Sequence, residues 1–136
     1  MLVYVKEPRK QGYLKEIENT LSSKQELVGG FLECVTLSQI LNDSEIIVYG
    51  NDEAKLLGLE ANVVITDFDL HAGTAKLIDI LAGTLCFCGT DDEGNDLPLS
   101  SAQLTLLESV MIPLDSLPGR ESHTGLYVLP FTSNLI

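Results

Sequence analysis

Apolar residues come in short bursts along this chain, separated by polar turns, and most bursts are too short for a helix. Leu2 to Lys6 (LVYVK) is β-branched and aromatic and predicts a strand. EPRKQG, with Pro8 and Gly12, predicts a turn. Tyr13 to Ile17 returns as its hairpin partner, with Tyr13 and Ile17 on the apolar face. The period then changes. In NTLSSKQELVGG, Asn19 or Thr20 caps a short helix, Leu21, Leu27 and Val28 share one helical face, and Gly29-Gly30 ends it. Phe31 to Leu37 predicts a strand with Phe31, Val35 and Leu37 on one face, and residues 38–44 a polar connection or short helical turn. Glu45 to Tyr49 (EIIVY) predicts a central strand, because its apolar residues run consecutively.

GNDEAKLLGLEAN (50–62) reads as turn, short apolar stretch, turn. Val63 to Thr66 is a short strand, followed by a loop, DFDLHAGT. Lys76 to Gly89 is long and apolar, and Gly83 divides it or makes a bulge. Ser100 to Gln103 (SSAQ) is a capping box, flanked by Leu99 and Leu104 at the positions of a hydrophobic staple. Leu104, Leu107 and Met111 share a face of the helix that follows, and Pro113 ends it.

These elements predict an α+β fold: a single domain, with a mixed β-sheet of about five strands, two helices packed on it and an extended C-terminal tail. The expected division is a domain over 1–111 and a Pro- and Gly-containing tail over 112–136. Within the tail GLYVLPF is apolar and extended. It is expected to dock as an edge strand on the chain's own sheet. The sharper alternative is an oligomerisation arm that reaches a second subunit through Leu126, Tyr127, Val128, Leu129 and Phe131.

At 136 residues, 45% hydrophobic and 21% charged, the chain has the make-up of one ordinary globular domain rather than a disordered one. No apolar run reaches the ~20 residues that cross a bilayer, and the N-terminus lacks the pattern of a signal peptide. Three cysteines, an odd number, imply no disulfide framework. A cytoplasmic protein is the expectation.

Charge changes the picture most. Twenty acids face eight bases, for a formal net charge of −12. Five of the bases (Lys6, Arg9, Lys10, Lys15 and Lys24) fall within the first 24 residues, and the remaining chain carries a local −14. Such a surface repels nucleic-acid phosphates and acidic leaflets, so direct nucleic-acid or membrane binding is disfavoured and a basic protein partner favoured. Asp91, Asp92, Glu93 and Asp96 are the densest acidic run and the expected partner-binding patch.

Catalytic and metal chemistry finds little support. Counting an EF-hand loop from Asp91 puts Asp96 where glycine belongs and Ala102 where glutamate belongs, so the run reads as a solvated turn. Cys86 and Cys88 share one strand face opposite Phe87, a spacing that is wrong for a zinc knuckle and right for core packing. Asp67, Asp69 and His71 alternate as a weak metal trio would, but read more simply as a polar loop. No nucleophile elbow, dinucleotide fingerprint or phosphate loop is present. No catalytic, cofactor or metal residue is assigned, and the expectation is a non-enzymatic protein.

Together, IENTLSSKQELVGGFLECVTL (17–37), NDEAKLLGLEAN (51–62) and IDILAGTLCFCG (78–89) with DDEGN and a helix resemble a family of small proteins. That family is catalogued as a domain of unknown function and encoded by phages, plasmids and integrative elements of Gram-positive bacteria. The likeness spans residues 1–111. Ala54 stands where the motif usually has glycine. The resemblance implies an accessory factor of a mobile element, acting in the bacterial host's cytoplasm and blocking a host defence or nucleic-acid-binding protein through its negative surface. Two alternatives stand beside this: an oligomeric protein that sequesters a nucleotide signal, with Lys6, Arg9, Lys10 and Lys15 at the pocket, and a regulatory or structural module.

Overall fold

The computed structural model describes residues 1–36, 45–69, 74–113 and 125–128. Leu37, the 38–44 connection, His71, Leu129 and Phe131 lie outside them.

The N-terminal hairpin forms as its pattern predicts, from β1 (Leu2–Lys6) and β2 (Tyr13–Glu16) in antiparallel register. The first helix, α1 (Leu21–Val28), begins where the Thr20 hydroxyl accepts from the Ser23 N–H, and the Gly29 N–H closes it on the Gln25 carbonyl. Its buried face matches the expected one at Val28 and Leu27 and departs from it at Leu21. Lys24 and Val28 point inward while Leu21 is exposed. Three more strands, β3 (Leu32–Thr36), β4 (Ile46–Asn51) and β7 (Leu85–Thr90), extend the sheet in the order β2-β1-β7-β4-β3. A short strand, β8 (Asp96–Leu97), pairs with β7 off this path. Every pairing in this sheet is antiparallel.

A second, four-stranded sheet was not expected. Its order is β6-β5-β10-β9, from β5 (Ala61–Asp69), β6 (Thr74–Ala82), β9 (Met111–Pro113) and β10 (Gly125–Val128). Asp67 and Asp69 therefore belong to a long hairpin with β6 rather than to a loop. The second helix, α2 (Ser101–Val110), hands over to β9 at Met111, ahead of the proline. The tail docks on this chain's own sheet, but inside it. β10 runs antiparallel to β5 and parallel to β9, so both of its hydrogen-bonding edges are taken.

Gly83 is where the chain leaves one sheet for the other. Its φ of +76° lies in the left-handed region, and a Cβ there would come within 2.9 Å of the Leu59 side chain. The backbone conformation strains any side chain at that position, and the end of the Leu59 side chain would also have to move aside.

The first sheet is a central layer with a core on each face. Val3, Val5, Cys86 and Cys88 pack against Val28 of α1. On the opposite face Tyr4, Val48, Leu85 and Phe87 pack with Leu99 and Leu107 around α2, and with Val63 and Leu81 of the second sheet. The capping box is made as read, with the Ser100 N–H donating to Gln103 Oε1 (3.0 Å) and the Gln103 N–H to Ser100 Oγ (3.1 Å). The staple residues Leu99 and Leu104 join the same cluster.

A polar bolt links the two sheets. Lys6, only 2% exposed, donates from Nζ to the Glu7 carbonyl (2.6 Å) and to Asn62 Oδ1 (3.0 Å). The Asn62 amide in turn donates to the Lys6 and Gly83 carbonyls (2.7 and 2.8 Å). Burial pushes the Lys6 ammonium down to about 8. Above that pH the folded chain sheds a proton that the unfolded chain keeps up to about 10.5, so stability gains with rising pH. Measured against a Lys6→Met variant, which shares every other titrating group, the wild type is expected to gain about 1 kcal/mol in urea denaturation between pH 8 and pH 9. A gap between the two that stays flat from pH 7 to pH 10 refutes a perturbed lysine.

Candidate functional site

The acidic run occupies the β7–β8 hairpin, and its four residues are split between two roles. Asp91 caps the turn itself. Its Oδ1 accepts from the Glu93 and Asn95 N–H groups (both 2.9 Å), and its Oδ2 accepts from the Asn95 side-chain amide (3.1 Å). The Asn95 N–H and amide, assisted by the Glu93 N–H, hold the Asp91 carboxyl below its ordinary value. Asp92 and Glu93 are exposed at the tip. This is the turn chemistry expected of Asp-Asp-Glu-Gly-Asn.

Asp96 turns the other way. Its carboxylate pairs with the Lys24 ammonium and accepts from the Tyr49 hydroxyl (2.7 Å), while its backbone carbonyl accepts from Asn19 Nδ2 (3.1 Å). Lys24 also donates to Asn19 Oδ1 (3.0 Å) and sits 5.6 Å from the Tyr49 ring centre. The two charged side chains are 7% and 11% exposed, so this pair belongs to the interior beneath α1. The solvent-facing acidic patch is thus Asp91, Asp92 and Glu93, without Asp96.

Cys86 and Cys88 are fully buried beside this network, as their alternation predicts. Burial pushes the Cys86 thiol up to about 11, and burial with the neighbouring Asp96 charge pushes Cys88 up to about 12. Both are neutral thiols at physiological pH and are packing residues. Among the described residues no three His, Cys, Asp or Glu side chains gather as a metal site would require.

Four of the five N-terminal bases are buried or face carboxylates. Lys6 and Lys24 are buried, Arg9 pairs with Glu60, and Lys10 lies 3.9 Å from Glu7. Lys15 is exposed in a groove it shares with Glu7, Glu18 and Glu26.

A feature that the sequence did not single out lies at the far end of β7 from the acidic turn, about 17 Å away along the strand. Here a groove of about 340 Å³ opens between the end of the β3–β4 hairpin and the turn at residues 52–58. Its floor is Val48, Leu81 and Leu85, and its rim carries Glu33, Asp52 and Lys55. The turn is tightly built. The Leu57 N–H donates to the Glu53 carbonyl (2.8 Å), the Leu59 N–H to the Ala54 carbonyl (2.9 Å), and Gly58 takes the left-handed conformation that closes it. Ala54 is buried as the anchor, which leaves Leu56 pointing out at 85% exposure and Leu57 beside it exposed. Phe31, 68% exposed, accepts the Asp52 N–H at its carbonyl (2.8 Å), which ties this residue to the start of the turn. The available signal was KLLGL itself, three leucines inside a segment otherwise read as turn.

Residues 1–111 match the family model described as Domain of unknown function (DUF3846). The chain belongs to that family. The match ends where α2 passes into β9, so β10 and its pairing with β5 lie outside the matched DUF3846 region. Both the acidic turn and the Leu56 groove lie within it. The search of curated proteins and the search of solved structures each return no match. Among the described residues of the DUF3846 protein, no helix is long and apolar enough to cross a membrane.

Proposed function

We propose that this chain is a non-enzymatic binding protein that docks its acidic surface on a basic protein partner. The observation that carries this is where the charges sit. The formal −12 stays on the outer surface, because the buried Lys24 cancels the buried Asp96, Lys6 is buried away from solvent, and Glu33, Asp52, Glu53, Asp92 and Glu93 are exposed. A field of one sign over most of a surface speeds encounter with an oppositely charged partner and makes the association sensitive to salt.

The same placement argues against a nucleotide pocket built from Lys6, Arg9, Lys10 and Lys15. Of these four only Lys15 lines one of the described grooves, among three glutamates. The family likeness to small proteins of phages, plasmids and integrative elements supports reading the partner as a host nucleic-acid-binding or defence protein, whose basic groove this surface would occupy and block.

Capture from a bacterial lysate at low and at high salt tests the proposal. Proteins with basic nucleic-acid-binding surfaces are expected in the low-salt fraction, to be lost above about 0.5 M salt, where screening shortens the Debye length to a few ångströms. Capture that ignores salt, or that enriches no basic protein, overturns it.

A further inference from the structure

We infer that the groove between the β3–β4 hairpin and the 52–58 turn is the seat of a cationic, amphipathic segment of the partner. That segment inserts one or two apolar side chains over Leu85 and Leu81 and sets Lys or Arg against Glu33 and Asp52. This rests on the acidic-docking reading above and names the surface and the ligand chemistry.

Three observations carry it. A leucine at 85% exposure on a tightly hydrogen-bonded turn is not a core residue left loose, since Ala54 already supplies that turn's anchor. Leu56 also borders a groove with an apolar floor and a rim of two carboxylates and the Lys55 ammonium, the combination of apolar centre and charged edge that binding surfaces show. Finally, Phe31, 68% exposed, is joined to the rim through its carbonyl and the Asp52 N–H, so an exposed aromatic residue neighbours the groove. A second copy of this chain is a poor occupant, because it would bring one net charge of −12 against another. A cationic segment meets the acidic rim and the wider field together.

The probe is a synthetic amphipathic peptide of lysine and leucine, titrated into the full chain and followed by amide NMR, beside a counterpart with glutamate for lysine. The lysine peptide is expected to move the amides of Glu33, Gly50, Asp52 and Leu56, and Leu56→Ser is expected to weaken it about tenfold. Asp52→Asn is expected to weaken it several-fold and to reduce its salt dependence, while Glu108→Gln on the exposed side of α2 leaves it within twofold. Both rim substitutions sit on an exposed turn, and the unchanged remainder of the spectrum checks folding. Perturbation centred on Asp92 and Glu93 overturns the groove assignment and leaves the acidic-docking reading standing. Equal binding of the glutamate peptide overturns the charge argument for the groove. Failure of the lysine peptide to bind anywhere overturns both.

Discussion

Replacing Asp96 with alanine is expected to lower the unfolding free energy by about 3–5 kcal/mol, the cost of leaving a buried ammonium without its carboxylate. Lys24 is only 7% exposed, and without Asp96 its described partners reduce to the Asn19 amide oxygen and the Tyr49 ring. The Tyr49 hydroxyl loses its acceptor in the same step. Burial and then the Asp96 hydrogen bond hold the Tyr49 phenol above its ordinary value, so the variant should ionise that phenol at lower pH, which absorbance near the tyrosinate band reads directly. Urea denaturation of Asp96→Ala, Lys24→Met and the Lys24→Met/Asp96→Leu double variant separates the terms. The double variant is expected to recover most of the loss, because two apolar side chains remove the orphaned charge. A loss below about 1 kcal/mol for Asp96→Ala would mean the pair behaves as a solvated surface bridge.

Phe87→Ala is expected to cost a similar amount, about 3–5 kcal/mol, by a different route. Phe87 is fully buried at the middle of the first sheet, opposite Tyr4 on β1 and Val48 on β4. Its ring meets Tyr4 edge-on, with centroids 6.1 Å apart and planes at 67°. Leu99 and Leu107 close the layer above it. Truncation opens a cavity whose walls are strand residues held in register and a capped helix, and neither collapses readily. Phe87→Leu keeps most of the volume and is expected to cost less than half as much. If Phe87→Ala costs less than about 2 kcal/mol, α2 is free to settle onto the sheet and does not sit on a rigid layer.

The local features were legible because their partners are near in sequence. The capping box needs residues three apart, and both hydrogen bonds form. Alternation alone put Cys86 and Cys88 on one face and Phe87 on the other, and they enter different cores. The candidate site was only partly legible. Asp91, Asp92 and Glu93 form a solvated acidic turn as expected, but composition gave no sign that Asp96 would turn inward. On α1 the apolar period places Leu27 and Val28 on the core as expected, but it gives no sign that Leu21 stays exposed while Lys24 turns inward to Asp96.

What this sequence determines by itself is an α+β domain, the extended stretches, two capped helices, a strongly acidic balance and membership of a family matched over residues 1–111. Each of these follows from propensity, periodicity, charge count or motif, which act within a few residues or over the whole chain. Tertiary structure decided the rest. Only the fold brings Lys24 to Asp96 across 72 positions, or Lys6 to Asn62 across 56. Only the fold sends β6 and β7 into different sheets at Gly83, and seats β10 between β5 and β9. The Leu56 groove has the same origin, since its walls come from β3, β4, β6, β7 and the 52–58 turn. Burial energy depends on which surfaces meet, and for those pairs the meeting is set by sheet topology rather than by spacing along the chain.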